Sequence, residues 1–229
     1  MRRAALVLLL LWLGAERASA QRCVGSHPFR LSHFRAGGGV DLDKNSQSYG
    51  VDLRYTTPRV FGIVDAAMRT WDAEIFNDEG QLLGATVGMT FPGDGTARLS
   101  LCPMLSFNLA SGPDQAEGIA WHYSERAFAG SLSMGYLLSP SGGWEIVPTA
   151  TLTVGTTTVT MKTKAGVSKP SYKNFCCGNH GFGTVSLGFG LGLGRSLTIL
   201  PSISFPLDAA GETTYGARFV FGLGRDLDN

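Results

Sequence analysis

The chain has 229 residues, with 19 Lys and Arg against 18 Asp and Glu, so its formal net charge is only +1. A chain this close to neutral gives no reason to expect a nucleic-acid partner. Charged residues make up 16% of the sequence, against roughly 25% in soluble domains. This composition disfavours a densely charged, water-facing surface and suits one domain of moderate size.

Residues 1–20 are predicted to be a cleaved signal peptide. Two arginines open a positive n-region, residues 4–13 form an apolar h-region, and Ala18-Ser19-Ala20 fits an A-x-A cleavage site. The apolar run is too short to span a bilayer as a helix. We therefore expect a mature chain that begins at Gln21, with residues 21–32 as a periplasmic N-terminal segment.

Apolar residues recur at every second position from about residue 34 onward. Leu83, Ala85 and Val87, for example, alternate with glycine and threonine. Successive side chains of a strand point to opposite faces, so this period indicates a sheet with one apolar face and one small, polar face. No later stretch offers about 18 consecutive apolar residues, so no transmembrane helix is predicted. The pattern predicts strands at 33–42, 48–57, 60–72, 81–91, 97–110, 125–138, 144–160, 181–194, 196–207 and 214–224.

The connections between these strands alternate in length. The even connections are tight turns, at 58–59, 92–95, 139–143 and 194–195. The odd connections are longer or more polar, at 43–47, 73–80, 111–124, 161–180 and 208–213. Short turns on one side, longer loops on the other and an even strand number are typical of outer-membrane barrels. Both termini are then expected in the periplasm.

On this pattern the chain resembles a small Gram-negative outer-membrane β-barrel protein of the eight-to-ten-stranded class, over residues 33–224. The resemblance implies an all-β fold: a transmembrane antiparallel up-and-down β-barrel of about ten strands, with eight as the smaller possibility, followed by a tail at 225–229. It also implies a porin-like monomer in the cell outer membrane, in contact with membrane lipid, lipopolysaccharide and the barrel-assembly machinery. Aromatic residues at the predicted strand ends fit interfacial belts, with Tyr49 and Tyr215 at the outer rim and Tyr55, Phe91, Tyr136 and Trp144 at the inner rim.

A secreted soluble β-sandwich or barrel is the alternative fold, with the apolar face packed inside. The second face of each predicted strand argues against it, because that face is mainly Gly, Ser, Thr and Ala. A water-facing strand surface normally carries more charge, whereas small residues suit the crowded interior of a narrow barrel.

The face predicted to line the barrel lumen carries a sparse set of charges. They are Asp52, Arg54, Asp65, Arg69, Arg98, Glu145 and Arg218. Buried charges are expected to pair, because an unpaired buried charge is costly. The set is therefore interpreted as an ion-pair network that holds the barrel together, with a narrow polar pathway for small solutes as the alternative.

The four cysteines allow three pairings. Cys176 and Cys177 lie in a long outer loop, whereas Cys23 precedes the first strand and Cys102 points inward near the periplasmic end of its strand. We predict a Cys23–Cys102 disulfide, with Cys176 and Cys177 either joined to each other or free. Cys176 and Cys177 could form a metal site with His180 and His122, but these four residues do not have the spacing of a zinc site. Neither a metal nor another cofactor is therefore expected.

His122 and Ser124 are the residues most similar to a hydrolase site. If the parity of the predicted strand 125–138 is continued to them, both face lipid at the outer rim, as a His-x-Ser pair does in the lipid A deacylases that this fragment resembles. A nucleophilic serine needs a base and an orienting group. No acidic partner is assigned to His122, because Glu125 has the wrong parity. We expect no enzymatic activity, and a lipid-modifying enzyme remains the alternative.

Four lysines form a basic stretch in the long outer loop: Lys162, Lys164, Lys169 and Lys173. Lysine binds phosphate, so the stretch is a candidate contact for lipopolysaccharide, or it is simply a solvated loop. Taken together, the sequence predicts an outer-membrane barrel with a structural or surface-interaction role, or a narrow pore for small solutes.

Overall fold

The computed structural model describes residues 22–25, 34–57, 59–71, 79–91, 98–112, 115–116, 119–138, 145–163, 178–193, 197–208 and 211–223. The predicted signal peptide and the tail at 225–229 lie outside these ranges. The strands are β1 (Phe34–Leu42), β2 (Ser46–Thr56), β3 (Val60–Trp71), β4 (Glu79–Met89), β5 (Leu99–Ser111), β6 (Gln115–Ala116), β7 (Ile119–Tyr136), β8 (Glu145–Thr163), β9 (Gly178–Leu193), β10 (Leu197–Pro206) and β11 (Thr214–Leu223). A single 3₁₀ turn, Arg22–Val24, precedes them.

Ten of these strands form a closed antiparallel ring. Each pairs with its neighbour in the chain, apart from the two-residue strand β6, which is a short addition beside β7. β1 pairs with both β2 and β11, and β5 pairs with β7, so no barrel strand is left at an edge. The predicted all-β, ten-stranded barrel is confirmed, and the soluble sandwich is wrong.

The alternation of side chains matches the predicted faces. On β2, Val51 is 65% exposed whereas its neighbour Asp52 is 5% exposed. The same alternation places the large apolar residues of the other barrel strands on the exterior. The exposed aromatic residues near strand ends include Tyr49, Tyr55, Phe91, Tyr136 and Tyr215. Among the described residues no helix is long and apolar enough to cross a membrane.

Three strands are longer than the sequence predicts. β7 begins at Ile119, within the stretch predicted as the loop 111–124, while β8 continues to Thr163 and β9 begins at Gly178. Their added segments pair regularly, with Trp121 opposite Thr163 and Val159 opposite Gly178. The apolar alternation stops before the hydrogen bonding does. The apolar alternation therefore indicates which part of a strand contacts lipid. Backbone pairing with the neighbouring strand continues past the last lipid-facing residue.

A charge on the exterior tests the lipid-facing assignment. Val51 lies in the middle of β2 and Gln47 near its end, both on the outward face. Val51→Lys is expected to lower the free energy of unfolding by about 2–4 kcal/mol, and Gln47→Lys by only about 0–1 kcal/mol, because the cost of a charge depends on its depth in the bilayer. Urea titrations of the protein folded into lipid vesicles measure both values. Equal small effects would contradict a lipid-facing Val51.

Candidate functional site

The lumen is closed at the end of the barrel that carries Phe34 and Leu223, called here the terminal end. Near this end every barrel strand contributes a buried inward-facing residue, and these residues form the lumen floor. They are Arg35, Thr56, Phe61, Gly88, Cys102, Ser133, Val147, Gly190, Thr198 and Val220. Arg35, Cys102, Ser133, Val147, Thr198 and Val220 are 0% exposed. Water therefore does not reach the lumen from the terminal end.

The lumen is open toward the opposite, long-loop end. Asn108 on β5 and Ser202 on β10 point inward by the alternation of their strands, yet both are exposed. Arg218 and Asp41 also point inward, and their side chains are 39% and 34% exposed. Because these positions lie above the floor, the lumen is a water-accessible chamber with one closed end.

The N-terminal segment, residues 22–25, fills part of the floor. Cys23 is 3% exposed and forms a disulfide with Cys102 of β5. Ser133 Oγ of β7 donates a 2.7 Å hydrogen bond to the backbone oxygen of Cys23. The disulfide joins residues 79 positions apart, and a loop of that length corresponds to about 4.5 kcal/mol of stabilisation in the chain-entropy treatment. The segment is thus anchored to both β5 and β7.

Inward glycines make room for this segment. A Cβ at Gly135 of β7 would collide with the backbone oxygen of Arg22, and one at Gly190 of β9 with that of Gly25. The apolar part of the floor packs on the other side of the disulfide, where Phe61 joins Cys23 and Cys102, with Val24, Ile63 and Met104 against them. The backbone of the segment therefore occupies space that side chains fill elsewhere in the floor.

A chain of four charged residues crosses the seam between the first and last strands. Arg54 contacts Asp52 through Nε and through Nη2, the latter 3.2 Å from Oδ1. Arg218 of β11 places Nη1 3.4 Å from Asp52 Oδ1 and Nη2 3.2 Å from Asp41 Oδ2. The four residues belong to β1, β2 and β11, so the ion pairs add to the backbone pairing that closes the ring.

Glycines on neighbouring strands explain how these long side chains fit. A Cβ at Gly37 would lie 2.7–2.9 Å from the Asp52 carboxylate, and one at Gly39 would lie 2.5 Å from Cγ of Arg218. Both glycines face inward on β1, where they belong to the run Gly37-Gly38-Gly39. The glycines that weaken the strand pattern of β1 are therefore the residues that accommodate the charge network.

The remaining predicted lumen charges are Asp65, Arg69, Arg98 and Glu145. Arg69 pairs with Asp43, 3.6 Å away at the long-loop end, and lies over the Trp71 ring. The Asp65 carboxylate lies over Gly84, beside the Asn108 side chain. Glu145 begins β8 at the terminal end.

Arg98 lies just before β5 and is exposed. Two members of the observed lumen were missed, Arg35 and Asp41. The alternation of β1 places both on its inward face, and extending the parity analysis to that glycine-rich strand would have found them.

The inward face of β7–β10 carries several pairs of hydroxyl groups. Three inward-facing pairs join neighbouring strands there, and their oxygens are 2.7–2.8 Å apart: Ser133 with Thr151, Ser131 with Thr153, and Ser186 with Ser204. A solute in the lumen would therefore lie between the ion pairs of β1, β2 and β11 and a wall on β7–β10 that carries hydroxyl groups together with the Glu125 carboxylate.

The other predicted sites are only partly within the described structure. Ser124 lies on the outward face of β7, opposite Ser111 and Thr160. Glu125 faces inward, where it accepts a 2.8 Å hydrogen bond from the Tyr123 hydroxyl. The side chains of His122 and Lys162, and the whole of Cys176, Cys177, Lys164, Lys169 and Lys173, lie outside the described residues. Within the described part of the chain, no three metal-binding side chains come together.

The barrel is similar in fold to known outer-membrane structures. The translocator domain of the autotransporter NalP from Neisseria meningitidis has 12% sequence identity and a TM-score of 0.50, over 96% of this chain and 95% of that one. The β domain of the Bordetella autotransporter BrkA has 13% identity and a TM-score of 0.43, over 84% of this chain and 100% of that one. No family model and no curated sequence matches the chain. At these identities the similarity concerns the fold alone.

The closed ring, its apolar exterior and this shared fold define the class of the protein. It is a closed antiparallel β-barrel of ten strands, with the fold that outer-membrane barrels share. Closing the sheet satisfies the backbone hydrogen-bonding groups in lipid, and the exposed apolar side chains match the hydrocarbon around them.

The two seam carboxylates are expected to differ in their contribution to stability. The Asp52 side chain is 1% exposed and contacts two arginines, whereas that of Asp41 is 34% exposed and contacts one. Asp52→Asn should lower the free energy of unfolding by about 3 kcal/mol, because it leaves buried guanidinium charge unpaired. Asp41→Asn should cost about 1 kcal/mol or less, since water screens that pair. Denaturant unfolding of both variants tests this order, and a reversed order would contradict it.

The fit of the N-terminal segment against β9 is tested by a pair of glycine variants. Gly190→Ala should cost about 1–3 kcal/mol, because its methyl group meets backbone rather than a movable side chain. Gly130→Ala is the matched control on the outward face of β7, where a Cβ meets nothing within 4 Å. The temperature at which each variant loses its compact form on a detergent gel gives the comparison. Equal temperatures would show that the segment does not press on Gly190.

Proposed function

We propose that the protein is a narrow pore for small polar solutes, whose terminal end is closed by residues 22–25 while the Cys23–Cys102 disulfide is intact. The observation that carries the proposal is the contrast within the lumen. Inward-facing Asn108 and Ser202 are exposed to water, whereas the inward-facing residues of the floor are buried. The lumen is therefore a polar, hydrated path for solutes that is blocked only at the floor, near the terminal end.

The composition of the floor supports closure by the segment. Where the segment lies, β7 and β9 present Ser133, Gly135 and Gly190, which are too small to reach across the lumen themselves. Ten strands enclose a narrower lumen than the 16 or so of wide porins, so a short piece of backbone is enough to obstruct it. Removal of the segment would leave a gap lined by polar and glycine residues.

A permanently closed barrel with a structural or surface-interaction role is the second candidate. The observation in its favour is that Arg35, Val147, Thr198 and Val220 are 0% exposed on strands other than those that anchor the segment. If these side chains close the lumen without help, release of the segment has no effect on permeation. Conductance separates the two candidates.

The test compares single-channel currents of the wild type, Cys102→Ser and a variant lacking residues 21–25 in planar bilayers. The oxidised wild type should be closed for most of the time. Cys102→Ser should open intermittently, because the unlinked segment stays close to its site at high effective concentration. The shortened variant should stay open. Heat-modifiability on a detergent gel checks that each variant is a folded barrel.

Two results would contradict the proposal, one the existence of a pore and the other its closure by residues 22–25. A folded shortened variant that passes no current would mean that the barrel walls close the lumen, which favours the structural role. A freely conducting oxidised wild type would mean that the segment does not obstruct the pathway. Reduction of the wild type with a thiol reagent should reproduce the behaviour of Cys102→Ser, and Ser100→Ala serves as a control substitution on the same face of β5.

A further inference from the structure

The outward face of β7, β8 and β9 changes character at one point along each strand. From the terminal end, the outward positions are mainly apolar as far as Phe128 on β7, Val154 on β8 and Val185 on β9. Each apolar stretch covers about nine residues, the length of a strand that crosses the hydrocarbon region. The end of the apolar stretch therefore marks the hydrocarbon boundary on the long-loop side.

Past this boundary the described outward side chains of β7 and β8 are polar, and on β9 Asn179 follows the outward glycines Gly183 and Gly181. The polar residues of these three strands are called here the outward polar strip: Ser124, Arg126, Thr156, Thr158, Thr160 and Asn179. Arg126 lies directly opposite Thr158, which in turn lies opposite Asn179. The Thr158 hydroxyl hydrogen-bonds Asn179 Oδ1. Arg126 is exposed and is the first outward residue after Phe128.

The strip has a local charge of one sign. Among the described residues, the outward positions past the boundary on β7, β8 and β9 include Arg126 and no carboxylate. Glu125, the chain neighbour of Arg126, faces inward, and the acidic residues Asp43, Glu79 and Glu212 belong to other strands and turns. An exposed guanidinium among hydroxyl groups complements an anionic group rich in oxygen atoms, and guanidinium binds phosphate through two parallel hydrogen bonds.

We propose that the outward polar strip binds a phosphate of the lipopolysaccharide headgroup, with Arg126 as its principal ligand. A side chain at the hydrocarbon boundary has lipid headgroups as its neighbours, so the anion nearest to Arg126 is a headgroup phosphate. The site lies on the exterior, and it does not depend on whether the lumen conducts. None of the four lysines Lys162, Lys164, Lys169 and Lys173 belongs to the strip.

The height of the strip favours a glycolipid over a phospholipid. β8 continues for nine residues past Val154, to Thr163, which corresponds to about 30 Å along the strand. Its described outward positions past the boundary are threonines, and β7 and β9 run beside it over most of this length. A bulky sugar headgroup has the height to cover such a hydroxyl-bearing wall, whereas a phospholipid headgroup covers only its base.

The experiment measures lipid binding to the folded full chain by native mass spectrometry. The probes are lipopolysaccharide, the same lipopolysaccharide after enzymatic dephosphorylation, phosphatidylglycerol and inorganic phosphate. The proteins are the wild type, Arg126→Gln and the matched control Arg98→Gln, which removes an exposed arginine at the opposite end of the barrel. Heat-modifiability shows that each variant is folded.

Wild type and Arg98→Gln are expected to bind intact lipopolysaccharide equally, and Arg126→Gln about tenfold more weakly, the effect of losing one charge-assisted contact. Dephosphorylated lipopolysaccharide should bind wild type as weakly as intact lipopolysaccharide binds Arg126→Gln. Equal affinity of all three proteins would overturn the proposal. So would undiminished binding after dephosphorylation, or binding of phosphatidylglycerol or inorganic phosphate as tight as that of lipopolysaccharide.

Discussion

The structure depends on one constraint: every backbone amide and carbonyl of a sheet in lipid needs a partner within the sheet. The pairing of β1 with β11, and of β5 with β7, meets this constraint by leaving no barrel strand at an edge. Once the sheet closes, its two faces are in different solvents. The exterior must be apolar over the thickness of the hydrocarbon, and the interior must hold whatever polar groups the ten strands carry inward.

The interior meets its own constraint by combining small residues with a few long ones. Inward glycines on β1 give space to the Asp52 carboxylate and the Arg218 side chain, and those on β7 and β9 give space to the N-terminal backbone. Inward glycines thus serve two purposes at two positions along the barrel axis. Near the seam it admits ion pairs that add to strand pairing, and at the floor it admits a covalently anchored segment that closes one end of the lumen.

Parity alone predicted most of the barrel. The exposed Val51 and the buried Asp52 and Arg54 lie on the faces that alternation gives them, and the observed strand bounds differ from the predicted ones chiefly at β7, β8 and β9. Those strands extend past the membrane, where the residues no longer need to match lipid and the apolar pattern fades. Arg98 shows a related limit: its parity is inward, but it lies at the end of the barrel, where water surrounds it.

The sequence by itself determined the class of fold and the identity of the two faces, because a period of two is a local property of each strand. Tertiary structure decided which charges meet, since Arg218 reaches Asp41 and Asp52 only when the last strand closes on the first. Tertiary structure also decided that residues 22–25 enter the floor. The long-loop end of the lumen, where Asn108 and Ser202 are exposed, is open to water. Contacts between residues far apart in the chain depend on closure of the ring, and no local pattern encodes them.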